Sequence, residues 1–296
     1  MHNTLLIALL AGFGGMFGWG FADFFAKKTI DRIGAIKSLV WAHSFGTALF
    51  IVIALAQVFL RGGSVYFPGN FGSWAGLAFF GALQMVVYWL VYEGFGKGQV
   101  AVLNPVFASY SGIVALISIA ALGERLNLIL AGALFAIFAG IILLNLDIEG
   151  LRSKKLKVTP GLSEVALAAL LAAFWTVGWD KFIHGHDSLS YALYMYAFMT
   201  VAAFALAKIM KVKLLGVDND LRKFLILIGL SETVAYLAIS WGYSRTPLTS
   251  VVALVSGSFS LPTIILAFIF LKERITRLQL GAIFMIILGI IFVALN

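Results

Sequence analysis

Apolar runs of about twenty residues recur along this 296-residue chain, one after another, with only short polar breaks between them. A helix rises about 1.5 Å per residue and a bilayer's hydrocarbon core is about 30 Å thick, so each run matches one crossing. The runs predict spans at 5–26, 36–60, 71–94, 100–121, 126–146, 162–183, 189–210, 222–243, 247–271 and 276–295. Composition agrees: 62% of residues are hydrophobic and 11% charged. A soluble domain carries about 25% charged residues and could not cover so much apolar surface. In lipid every backbone N–H and C=O must be bonded inside the structure, and unbroken runs of this length do that as helices. The expected fold class is an all-α integral membrane protein with ten transmembrane helices.

The breaks carry the charge. Of the 21 Lys and Arg residues, 17 fall in odd-numbered loops, among them Lys27, Lys28, Lys37, Lys97, Lys155 and Lys211. Arg61, Arg125, Lys181 and Arg245 make up the even-numbered set. Cytoplasmic loops hold the excess of Lys and Arg, which predicts odd loops inside and both termini outside. The net charge of +8 is thereby read as topology and lipid contact, not nucleic-acid binding. Met1-His2-Asn3-Thr4 lacks a basic leader region, so the first run is expected to stay as a span. There is no cysteine, which excludes disulfides, thiolate metal sites and a thiol nucleophile.

The chain repeats itself. Ser109-Tyr110-Ser111, Gly123-Glu124-Arg125, Gly132 and Gly140-Ile141 return as Ser258-Phe259-Ser260, Lys272-Glu273-Arg274, Gly281 and Gly289-Ile290, each 149 residues on. Upstream the offset is 148, pairing Gln84 with Glu232, Tyr88 with Tyr236 and Gly94 with Gly242. Two halves, 1–150 and 151–296, are expected. Five spans is an odd number, so the second half enters the membrane inverted. Inverted repeats are common among secondary transporters, which place substrate near the midplane between the halves.

Trp19-Gly20 with Lys27, the sequence Gly123-Glu124-Arg125-Leu126, its echo Lys272-Glu273-Arg274-Ile275 and the glycines that follow resemble the drug/metabolite transporter superfamily, specifically ten-helix proteins with two EamA-type repeats. The resemblance covers nearly the whole chain. It implies alternating access around a central cavity and export or exchange of amino acids or related metabolites. Many members carry Arg early in the second span, where this chain has Lys37 and His43.

Glu232 is the most informative single position. It falls mid-span, where a charge costs about 2.5–3.5 kcal/mol on insertion scales and is normally placed toward a cavity or a partner. It is a candidate substrate ligand and proton-coupling carboxyl, with a protonated structural acid as the bland alternative. Gln84 is its repeat mate, and Tyr88 and Tyr236 share their faces at i+4. His43 is a candidate relay or cavity donor, or simply a satisfied core histidine. Trp19 and Trp175 occupy corresponding places in the first span of each half. Asn104-Pro105 and Pro262 can interrupt their helices where a cavity is lined. Ser109 and Ser258 sit in the same helices, as pathway residues or as small packing residues. Asp23 with Lys27, and Glu93 with Lys97, read as i,i+4 surface pairs or gate contacts. Glu124 and Glu273 read as capping residues. No metal or cofactor is expected: His184-Gly185-His186-Asp187 offers no rigid third ligand.

Three function classes compete. A carrier fits the repeats and the deep carboxyl. An enzyme would need a Gly-x-Ser-x-Gly elbow, a His-Glu-x-x-His pair or a P-loop, none of which is present. A channel would need a filter-like loop or a ring of charge. The expectation is a non-enzymatic secondary transporter in a prokaryotic inner membrane, moving a small metabolite, most simply an amino acid, as a monomer or weakly associated homodimer. Its alternative is a proton-coupled exporter of hydrophobic organic cations.

Overall fold

The computed structural model describes residues 2–97, 103, 106–144, 160–272 and 275–295. Asn104, Pro105, Glu273, Arg274 and the basic linker 145–159 lie outside the described residues, as does the side chain of Lys27. All regular structure among the described residues is helical: α1 His2–Ile33, α2 Ala35–Arg61, α3 Phe71–Lys97, α4 Tyr110–Ala121, α5 Leu128–Leu144, α6 Leu162–Ile183, α7 Ser188–Ile209, α8 Asn219–Arg245, α9 Thr249–Gly257, α10 Ser260–Leu271 and α11 Arg277–Leu295. Eight stretches are long and apolar enough to cross a membrane, with α9 and α10 together forming one of them. The apolar helices 106–121 and 128–144 are shorter.

The polar breaks end helices less abruptly than hydropathy suggests. α1 runs through Lys28 and Arg32 and stops only before Gly34, whose φ of 79° takes it out of helical geometry. Charged residues cost a helix nothing once it has left the hydrocarbon, so hydropathy marks the membrane boundary and not the helix end. α2 ends on Gly62 in the left-handed region, and the chain turns back there, with the Gly63 N–H bonding to the Gln57 carbonyl at 3.2 Å. α7 begins with Asp187 accepting the Ser190 N–H at 2.8 Å.

Helices meet through small residues. α1 packs along α8, where a side chain on Gly14 or Gly18 would run into Ala238, Ala235 and the Ser231 carbonyl. Without a hydrophobic force between helices in lipid, such close approach is what joins them. The packing repeats with the sequence. α1 lies on α8 and α9, as α6 lies on α3 and α4. Gly81 of α3 presses on the backbone of α7, and its mate Gly229 of α8 presses on that of α2. Gly140 of α5 faces Ala282 and Ile286 of α11, while Gly289 of α11 faces Ala133 and Ile137 of α5. The glycine contacts at Gly81 and Gly140 thus recur at Gly229 and Gly289 with the two halves exchanged.

The ninth predicted span is broken at Ser258-Phe259, between α9 and α10. Pro262 is the third residue of α10, where its missing N–H has no intrahelical partner to lose. Its repeat counterpart breaks at the equivalent residue: the helix from 106 is interrupted by a turn at Ser109 before α4 begins. The two interruptions are 149 residues apart, like the serines that mark them.

A candidate binding cavity and a sealed acid

Between α1, α3, α4, α6 and the α9–α10 break lies a cavity with about 660 Å³ of empty space. Its wall contains Trp19, Asp23, Gln84, Tyr88, Tyr92, Tyr110, Trp175 and Phe259, together with small and aliphatic residues. Tyr110 follows one helix break directly, and Phe259 forms part of the other. Discontinuous helices beside a substrate cavity are a recurrent feature of carriers. A second hollow, at the far end of the bundle, is bordered by Thr4, Glu124, Arg125 and Lys181.

The sequence candidates divide between the cavity and its back wall. Trp19, Gln84, Tyr88 and Trp175 line it. The Trp175 indole N–H donates to the Phe80 carbonyl at 2.9 Å, whereas that of Trp19 has no partner among the described residues. Both indoles meet Tyr236 edge-on, at 5.8 Å and 6.0 Å between ring centres, so the two first-span tryptophans converge on one ring. Tyr236 is fully buried, and its hydroxyl approaches Tyr88 and Gln84 without hydrogen-bond geometry to either. Ser109 donates to the Val106 carbonyl at 2.6 Å and Ser258 to the Leu254 carbonyl at 3.1 Å. These serines finish their own interrupted helices and are turned back on them. Asn104 lies outside the described residues.

Behind the tyrosine layer sits a closed polar cluster. Glu232 is 1% exposed, and its Oε2 accepts the Tyr196 hydroxyl proton at 2.6 Å. His43 is fully buried, with Nε2 3.4 Å from the same oxygen. Its Nδ1 lies 2.8 Å from the Leu39 carbonyl. A carbonyl oxygen only accepts, so Nδ1 carries a hydrogen. A neutral ring then turns a lone pair at Nε2 toward a carboxylate oxygen, and the contact is attractive only when a proton lies on one side of it. The ring stacks on Tyr196 and meets Tyr88 edge-on. α2, α7 and α8 are thereby pinned around one acid that does not line the cavity.

Asp23 was expected to form a surface pair or a gate contact with Lys27, whose side chain lies outside the described residues. The i,i+4 spacing to Lys27 suggested a surface pair, but the same spacing back to Trp19 puts Asp23 on the cavity face of α1. It is exposed, and the surface it presents is part of the cavity wall. Glu232 lies close enough to act on it electrostatically. The Glu93–Lys97 pair is present at 3.7 Å, yet Lys97 makes its shorter contact, 2.9 Å, with Glu164 of α6. That contact holds the Lys97 ammonium above its usual range. Lys37 donates to the Leu215 and Gly216 carbonyls, at 2.6 Å and 3.2 Å, and so ties α2 to the loop before α8. Glu124 accepts both the backbone N–H and the hydroxyl of Ser250 in the first turn of α9, which is a capping role across the two halves. Burial nevertheless pushes its carboxyl up.

Among the described residues, no three His, Cys, Asp or Glu side chains group as metal ligands would. The helical architecture and the aromatic cavity are those of a membrane transporter. The EamA-like transporter family matches residues 6–146 and again 159–295, and the chain belongs to that family. A solved structure described only as a crystal structure of a protein is 17% identical, with a TM-score of 0.77 over 100% of this chain and 98% of that one. It shares the fold. No curated protein matches the sequence.

Proposed function

We propose that this protein is a secondary transporter of small metabolites with an apolar or aromatic body, working by alternating access between two inverted five-helix repeats, 1–150 and 151–296. The single observation that carries the reading is the aromatic cavity beside two helix breaks that occupy equivalent places in the repeat. The counterpart contacts of the two halves support the inverted symmetry, and the two shorter apolar helices beside the eight longer spans support a reading of ten. The Lys and Arg distribution supports termini outside and an inner-membrane setting. The Glu232–His43–Tyr196 cluster is the candidate proton site, since its contact needs a proton to be attractive.

Of the two substrate classes considered, organic cations fit better than amino acids. The wall carries a carboxylate and no Lys, Arg or His among the described residues. The free Trp19 N–H is the one feature favouring a zwitterion, as a donor to its carboxylate. Reconstituted protein should show saturable, trans-stimulated uptake of aryl-alkyl amines. Uptake that rises linearly with concentration for every amine and amino acid tried would remove the carrier reading. Glu232→Gln should fold and transport with its pH dependence flattened; an unchanged pH profile would exclude Glu232 from proton coupling.

A further inference from the structure

We infer that Asp23 sets the charge of the cargo: its carboxylate receives a single ammonium group whose apolar body fills the cavity against Trp19, Tyr88, Tyr110 and Trp175. The inference rests on the carrier reading and names the substrate class for it.

Four observations converge. Asp23 supplies the one carboxyl among the described wall residues. Its surface is open to the cavity, unlike Glu232, whose 1% exposure and bond to Tyr196 leave it nothing to offer a ligand. The surrounding wall is aromatic, and ring faces attract cations, most strongly where water is excluded. Finally, no Lys, Arg or His stands in the described wall, so no side-chain cation offsets the potential that Asp23 raises in the cavity. A zwitterion would bring a second carboxylate into that potential with no cation in the described wall to meet it. A monocation meets only attraction.

The test uses the purified full chain and four ligands of one shape: phenethylamine, its permanently charged trimethylammonium derivative, neutral phenethyl alcohol and zwitterionic phenylalanine. Titration calorimetry should rank both cations about tenfold or more tighter than the alcohol and phenylalanine. Asp23→Asn should lose that about tenfold advantage while keeping its affinity for the alcohol, and Asp23→Glu should restore it. Wild-type protein that binds none of the four, or prefers the alcohol or phenylalanine to both cations, overturns the inference. So does a folded Asp23→Asn variant that still prefers the cations. If Asp23→Asn does not fold, the wild-type ranking and Asp23→Glu decide. Flux separates the two readings: saturable uptake of phenylalanine with indifference to both cations removes the role of Asp23 and leaves the carrier, whereas tight cation binding without flux removes the carrier alone.

Discussion

Asp23 and Glu232 are both carboxylates within the helix bundle, and their surroundings could hardly differ more. Asp23 is exposed to a cavity and stands among ring faces. Glu232 is 1% exposed, bonded to Tyr196 and pressed against His43, with Tyr88 and Tyr236 between it and the cavity side. A charge tolerated at membrane depth needs either a wet compartment or a fixed set of partners. This protein supplies one solution to each acid. The first leaves a group free for a visitor; the second commits a group to holding three helices together.

The contrast is broken most severely by truncation. Glu232→Ala strands the Tyr196 hydroxyl and His43 without their partner; a buried polar group left unpaired costs about 1–3 kcal/mol, and the cavity left by the truncated side chain adds to it. Asp23→Ala removes a side chain that faces a cavity and should cost roughly 0.5 kcal/mol or less. Thermal unfolding in detergent measures both, and equal losses would show that the acids are not partitioned as described.

A smaller effect separates the two tryptophans. Trp175→Phe forfeits the indole bond to the Phe80 carbonyl, which keeps its helical N–H partner, a loss of about 1–1.5 kcal/mol. Trp19→Phe forfeits no bond among the described residues, where that indole N–H has no partner, and its effect should fall on ligand affinity instead. Stability and cation binding measured on both variants sharpen the comparison; a larger unfolding shift for Trp19→Phe contradicts it.

The smallest effect lies at the far end. Ser250→Ala removes the hydroxyl donor to Glu124 and keeps the backbone N–H cap, a loss of about 0.5–1 kcal/mol for one hydrogen bond. The Glu124 carboxyl already sits above its ordinary 4.5 because burial outweighs the Ser250 bonds. A raised acid binds its proton more readily in the folded state, so its contribution to stability is full below 4.5 and declines as pH rises through the shifted value. Losing a bond that favours the carboxylate lifts that value further. The variant should therefore lose stability over a wider pH interval above 4.5 than wild type, read as melting temperature against pH.

Much of the fold was legible because lipid imposes one rule on every segment. Run length gave the helices, and the returning Gly-Glu-Arg and Ser-Tyr-Ser patterns gave the repeat whose counterpart contacts appear at Gly81 and Gly229. Helix ends were less legible, since α1 carries its charged residues several turns past the hydrophobic run. The site was read in part. Periodicity tells which residues share a helix face, so Gln84 with Tyr88 and Glu232 with Tyr236 were paired correctly. It does not tell what stands opposite that face. Gln84 and Tyr88 turned out to border open space, whereas Glu232 met Tyr196 of α7, a partner with no local signal. Asp23 was passed over for the same reason: two i,i+4 neighbours, Trp19 and Lys27, pointed to different surroundings, and only tertiary packing distinguishes them.

The seam where α1 meets α8 has a mechanical outcome. With glycines abutting the neighbouring chain at positions 14 and 18, these rods interlock and can slide only by first lifting apart. Each rod comes from a different half, and α3 with α6 forms the matching mixed couple. In the proposed transport cycle, the helices packed most closely are couples drawn from both halves, so a rocking block would combine parts of the two repeats. A covalent staple joining α1 to α8, simple to engineer in a chain without native cysteine, should leave turnover intact; arrest by that staple would return the motion to the individual rods.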